Sequence, residues 1–147
     1  GSALANDPFD DRAEAVRANS LGLEAALDLG PGATLGGRIG FMQATAEDLP
    51  NDPTANVFSW AAMLAFHDLG GYGNLGGLFI GQPPRVTSND LDDLTDPDMS
   101  LHLELFYRWQ IDRNISITPG IFVVTSPEHD QTNSPIYVGA IRTNFRF

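Results

Sequence analysis

The sequence predicts an all-β chain, about seven strands of a larger antiparallel transmembrane β-barrel. Three observations lead there. The last stretch, residues 134–147 (SPIYVGAIRTNFRF), alternates with a period of two and ends on an aromatic residue. Five of six earlier stretches show the same period, the Gly-rich fourth having an ambiguous facing, and the connections run short, long, short, long, short, longer. Acidic residues collect on one side of that scheme.

The C-terminal stretch shows the logic most clearly. Successive side chains of a strand point to opposite faces. One face carries Tyr137, Ile141, Thr143, Phe145 and Phe147, and the other carries Val138, Ala140, Arg142, Asn144 and Arg146. A soluble strand rarely stops on an exposed Phe-x-Phe. A barrel strand does so naturally, because aromatic girdles sit at the membrane interface while polar groups face a wet interior.

Composition sets the outer bounds. At 147 residues the chain has the length of one ordinary domain. No run approaches the roughly 18 apolar residues of a spanning helix, but barrel strands need only about 9–11 residues of alternating character. The absence of cysteine rules out disulfides and thiolate metal sites. A net charge of −11 argues against nucleic acid as a partner. No secretory signal is visible at the start, and Gly1-Ser2 reads as a cloning remnant or as the cut edge of a longer chain.

The elements follow in order. Residues 1–18, polar and broken by Pro8, read as an extracellular loop segment, and residues 19–147 as the barrel part. The first strand, about 19–29, places Leu21, Leu23, Ala25, Leu27 and Leu29 on one face. Helix competes there because LEAALDL has good helix formers, but the strict period and Gly22 favour strand. After a Gly-Pro-Gly turn the second strand covers about 33–45. The third, about 56–66, aligns Phe58, Trp60, Ala62, Leu64 and Phe66. The fourth is Gly-rich and short, about 75–82, and the longest connection, 83–99, follows it.

The fifth strand, 100–111, alternates most cleanly, with Leu101, Leu103, Leu105, Tyr107 and Trp109 against His102, Glu104, Phe106, Arg108 and Gln110. The sixth, about 115–125, contains Pro119, which counts against it because proline cannot donate to a ladder. The seventh is the C-terminal stretch. The start segment holds four acids and the three long connections hold three, five and two, which is 14 of the 19 in the chain. A β-sandwich has no reason to sort acid and loop length to one end. Seven is odd whereas single-chain bacterial barrels use even counts. The chain therefore reads as the C-terminal part of a larger barrel, beginning inside an extracellular loop and unable to close alone.

The segments GLFIGQPPRVTSND (77–90), DMSLHLELFYRWQIDRNISITPGIFVVTSPEH (98–129) and IYVGAIRTNFRF (136–147) resemble the C-terminal region of cyanobacterial outer-membrane porins, the carbohydrate-selective-porin-like group often labelled iron uptake porins. SLGLEAALDL and LGGRIGF fit the same pattern. The resemblance implies an outer-membrane location with a periplasmic C-terminus, a barrel of roughly 16–18 strands, and a homotrimer. It also implies passive uptake of inorganic ions, iron among them, and small solutes. An N-terminal surface-layer-homology domain and the first half of the barrel, usual in that group, are not in this sequence.

Strand parity nominates Glu24, Arg38, His102, Glu104, Arg108, Arg142 and Arg146 as pore-lining residues, since an Arg on the lipid face near the midplane costs roughly 2–4 kcal/mol. Opposed Arg and acid groups would select by charge and size. The competing reading is a set of salt bridges that stiffens the wall, and Arg146 is close enough to the end to lie at the rim. Trp60, Tyr107, Trp109, Tyr137, Phe145 and Phe147 are the expected membrane-interface aromatics.

Asp90, Asp92, Asp93, Asp96 and Asp98 invite a calcium reading, but the loop lacks the glycine and final glutamate of an EF-hand. It reads as a solvated loop that concentrates cations at the mouth. His67, His102 and His129 are too scattered for a metal site. No nucleophile elbow or phosphate loop is present, so neither catalysis nor a cofactor is expected. The expected partners are the lipid bilayer, the N-terminal remainder of the barrel, identical subunits and small ions or solutes. Two rivals are a structural outer-membrane anchor with little conductance and a soluble acidic β-sandwich binding module.

Overall fold

The computed structural model describes residues 1–91 and 93–147. Its strands are β1 (Val16–Asp28), β2 (Ala33–Ala46), β3 (Thr54–His67), β4 (Leu75–Asn89), β5 (Leu101–Gln110), β6 (Ile115–Thr125) and β7 (Ile136–Phe145). A four-residue helix, α1 (Ala3–Asn6), precedes them. All seven strands form one antiparallel sheet in sequence order, β1 to β7, with every neighbour joined by a direct connection. Among the described residues no helix is long and apolar enough to cross a membrane, which says nothing about crossing by strands.

The register fixes two faces. Glu24 faces Arg38, which faces Ala61, then Gly81, His102 and Val124 in turn across six strands. Polar, small and aromatic residues share this polar face. The other face carries Leu23, Ile39, Leu78, Leu105, Ile121 and Ile141, all substantially exposed. Exposed leucines in such a continuous patch are out of place in water. The leucines of β5 therefore lie in no core, and among the described residues no second sheet covers them, contrary to the sandwich alternative.

Several boundaries differ from the sequence expectation. β4 does not stop at Gln82 but continues through Pro83 and Pro84 to Asn89, and the following connection shrinks to residues 90–100. Two register shifts between β3 and β4 absorb the extra residues, and a bulged, one-sided stretch is where proline is tolerated in a sheet. The pairing of β4 with β5 ends at Gly81, so the far edge of the upper strand needs no ladder donor from either proline. Pro119 is accommodated similarly. The β5–β6 pairing is interrupted between Phe106–Gly120 and Trp109–Ile117, beside that residue. Loop lengths alternate less sharply than expected, because residues 47–53 and 68–74 are equally long.

Residues 1–15 are not open loop. Beyond α1, β1 begins at Val16, three residues earlier than expected. Phe9 is fully buried against Ala44, Ala46 and Ala55, and Ala5 packs on Val57 and Val86. These partners belong to the polar face, at the end bearing the loops 47–53, 90–100 and 126–135. That end is called the loop end below, and the opposite one the turn end.

Candidate functional site

The polar face is built as rungs running across the strands. Glu24, Arg38 and His102 share one rung; Glu104 stands on the next, with Phe79 and Phe122 as its register partners. Arg108 lies opposite Leu75 and Arg142 opposite Thr118, nearer the turn end. Gln110, Ser116 and Asn144 follow on the adjoining rung. Arg146 lies just past the end of β7, and its backbone is held by Asn114, whose carbonyl accepts from its N–H at 2.9 Å. Strand parity therefore brings six of the seven nominated polar residues onto one face, with Arg146 at its rim.

Salt bridges do not bind this face together. Glu24 and Arg38 are register partners, yet among the described residues the ion pairs are Arg17 with Glu47 at 3.3 Å and His102 with Glu104 at 3.9 Å. Among the described residues Arg38, Arg108 and Arg142 have no carboxylate partner within 4 Å. His102 lies between two rings, 5.4 Å from Phe79 and 5.2 Å from Phe122 by centroid. Phe79, Phe106 and Phe122 form an aromatic element of the polar face that the search for charged residues passes over, although their parity places them there. Gly77 makes room for Phe106, whose ring lies where a Cβ on that glycine would stand.

The nominated aromatics divide. Tyr107, Trp109 and Phe145 sit toward the turn end of the apolar face, and Tyr137 near the loop end. Trp60 lies in the middle of β3, away from either strand end, so a girdle position does not describe it. Phe147, fully exposed, follows the last strand. Tyr107 also ties β5 to the β3–β4 connection, because its hydroxyl donates to the Leu69 carbonyl at 2.7 Å and accepts from Asn74 at 2.8 Å.

The acidic loop is less solvated than expected. Asp96 is buried, and its Oδ2 accepts from the Ser2 hydroxyl at 2.8 Å and from the Val86 N–H at 2.7 Å. Asp98 accepts from the Gln131 N–H at 2.9 Å. Asp90 accepts from the N–H and the hydroxyl of Thr54, both at 2.8 Å, which together hold its carboxyl below the usual range. Asp93 is exposed with a left-handed backbone, φ 67°, and Asp92 lies outside the described residues. Among the described residues no cluster of three or more His, Asp or Glu is arranged to hold a metal ion.

These acids close the gap left where β4 parts from β5. His129 completes the closure: fully buried, it links the Ser100 N–H to the Pro84 carbonyl. Glu128 beside it accepts from the Ala3 N–H at 2.6 Å. Residues 1–9 are thereby fastened over the loop end of the polar face. No local sequence signal marks His129 for this role, because its partners are 29 and 45 residues away.

A single antiparallel meander with one exposed apolar face and one polar face is the wall of a transmembrane β-barrel. The model of the carbohydrate-selective porin, OprB family matches residues 1–147, and the chain belongs to that family. The chain is 37% identical to the uncharacterized protein sll0772 of Synechocystis sp., covering all of this chain and 30% of that protein. It is 30% identical to the uncharacterized protein alr4550 of Nostoc sp., covering all of this chain and 24% of that one. The chain thus spans less than a third of the length of these curated relatives. No solved structure matches it.

Proposed function

We propose that this chain forms part of the wall of an outer-membrane diffusion pore that passes inorganic ions and small solutes. Separation of the faces carries the reading: Glu24, Arg38, His102, Glu104, Arg108 and Arg142 share one side, and exposed leucines and isoleucines hold the other. A charged side chain on the lipid face is costly, so the polar face borders the water-filled lumen. Arginines and glutamates there select permeants by charge and size. Sugars are favoured by the family's description, and aromatic rings beside charged groups suit them. Iron uptake rests on the resemblance to iron uptake porins alone.

In this reading the loop end is extracellular, the C-terminus is periplasmic, and the two edge strands pair with strands of the longer parent protein, which assembles as a homotrimer. A second reading, an envelope anchor with little conductance, is favoured by the packing of residues 1–9 over the polar face. Single-channel recording of the full-length protein in planar bilayers separates the two. Ohmic conductance supports the pore, and a correctly inserted protein without conductance leaves the anchor. Cysteines at Glu24 and Leu23 test the faces: a charged thiol reagent should reach the first through the lumen and not the second.

A further inference from the structure

We propose that the turn end of the polar face is a binding site for a small oxyanion of the phosphate class, an inference that rests on the pore reading. Arg108 on β5 and Arg142 on β7 flank Thr118 on β6. Arg142 faces Thr118 directly, and the unshifted register on both sides of the β5–β6 interruption sets Arg108 beside Thr118 as well. Two strand spacings separate the arginine backbones, about 10 Å. Both arginines line the same concavity as that threonine. The concavity they line measures about 700 Å³ and includes Asn144. It adjoins a second of about 380 Å³, bordered by Arg108, Gln110, Ser116 and Arg146.

The charges in this region do not cancel internally. Among the described residues no carboxylate lies within 4 Å of Arg108, Arg142 or Arg146. The carboxylate in the larger concavity, Glu104, stands two rungs from Arg108. Arg108 is held in place by a bond from Nη2 to the Gly73 carbonyl at 3.2 Å, while its buried Nε has no partner. A guanidinium fixed at one corner, lining the same concavity as a second guanidinium and neutral hydroxyl and amide donors, matches the several oxygens of a phosphate. Arginine forks favour oxyanions over a spherical halide. Acids gather at the opposite end of the face, so the basic site marks one end of the lumen and not its whole length.

The test uses the full-length protein in planar bilayers in potassium chloride, with inorganic phosphate added at constant ionic strength. Phosphate should reduce the chloride current. R142Q, at an exposed position, should weaken that block about tenfold, as loss of a charge-assisted contact implies, and R108Q/R142Q should abolish it. R17Q, at the loop end and paired with Glu47, should leave it unchanged. A conducting channel indifferent to phosphate, or equally blocked in R108Q/R142Q, overturns the site while the pore reading stands. Absence of any conductance overturns the pore reading. Calorimetric titration of phosphate into the detergent-solubilised protein then decides the site: binding lost in R142Q upholds it, and no binding to the parent protein overturns it.

Discussion

The imidazole of His129 is fully buried, and its Nδ1 accepts a hydrogen bond from the Ser100 N–H at 2.8 Å. Nε2 is then the protonated nitrogen and donates to the Pro84 carbonyl at 3.0 Å. One side chain so satisfies two backbone groups that the parting of β4 from β5 would otherwise orphan. H129A strips both partners and leaves a hole, and an unsatisfied buried backbone group costs about 1–3 kcal/mol. We expect faster hydrogen exchange at Ser100 and Val86, with unchanged exchange in β6 and β7. Equal loosening across all strands would show that His129 serves global stability and not the closure.

Gly81 faces Ala61 where β3 and β4 pair. A Cβ at Gly81 would stand 2.9 Å from the Trp60 carbonyl oxygen and 3.0 Å from the Ala61 Cβ. Backbone must move to admit it, so G81A should destabilise by about 1–3 kcal/mol, the usual cost of overpacking. Gly139 meets nothing within 4 Å, and G139A should be neutral or slightly stabilising. Urea unfolding of the full-length protein in detergent measures both. A G139A loss as large as that of G81A would refute the steric account.

The two faces should differ sharply in their tolerance of charge. Leu105 stands mid-strand on the apolar face, between Leu78 and Ile121. L105R should cost roughly 2–4 kcal/mol in a bilayer, while A140R, on the polar face beside Gly120, should cost little. Folding yield into lipid vesicles reports the difference. Comparable yields for both variants would sink the assignment of lipid and lumen faces.

Much of this is legible in the sequence because barrel strands obey a local rule. β6 has the expected bounds despite Pro119, since period-two alternation outweighs one missing donor when the ladder is interrupted beside it. LEAALDL forms β1 although its residues favour helix, because its leucines are arranged for one face of a sheet. The full length of β4 is hidden because Pro83-Pro84 reads as a stop, and nothing local reveals that the neighbouring edge there is left without β5. Burial of Phe9 depends on alanines from two strands, and burial of His129 on bonds to β4 and to the residue before β5. Those contacts are set by register and by loop closure, which the spacing of residues along the chain does not encode.

Acid should loosen the loops only at low pH. The carboxyl of Asp48 is lowered chiefly by the Glu14 N–H, that of Asp90 by the Thr54 N–H and hydroxyl, and that of Asp130 by the Thr132 hydroxyl and N–H. For a lowered carboxyl, the stabilisation is fully present above the ordinary value of 3.8 and is lost as pH falls through the lower folded value. Hydrogen exchange at Glu14, Thr54 and Thr132, corrected for intrinsic rates, should therefore stay protected from pH 7 down to that value and fail only below it. Loss of protection in the mildly acidic range would mean that these carboxylates do not anchor the loops.

Phe9 is the anchor by which residues 1–9 cover the loop end of the polar face. Its ring is fully buried against Ala44, Ala46 and Ala55, whose small side chains leave the space it fills. Ser2 with Asp96 and Ala3 with Glu128 hold the start of the segment, and the Asn89 amide donates to the Pro8 carbonyl at 2.6 Å beside the ring. F9A removes a buried aromatic group, a change that typically costs about 3–5 kcal/mol. Packing of Ala5 on Val57 and Val86 and the hydrogen bonds remain to hold the start of the segment, so the loss falls first on the part around Phe9. The region around Phe9 should then detach while the strands stay paired, because the buried partners of the ring lie at the ends of β2 and β3. If the face borders a lumen, F9A should raise single-channel conductance in the full-length protein and expose the region around Phe9 to protease. Raised protease sensitivity with unchanged conductance would show that residues 1–9 cover the wall without narrowing the path.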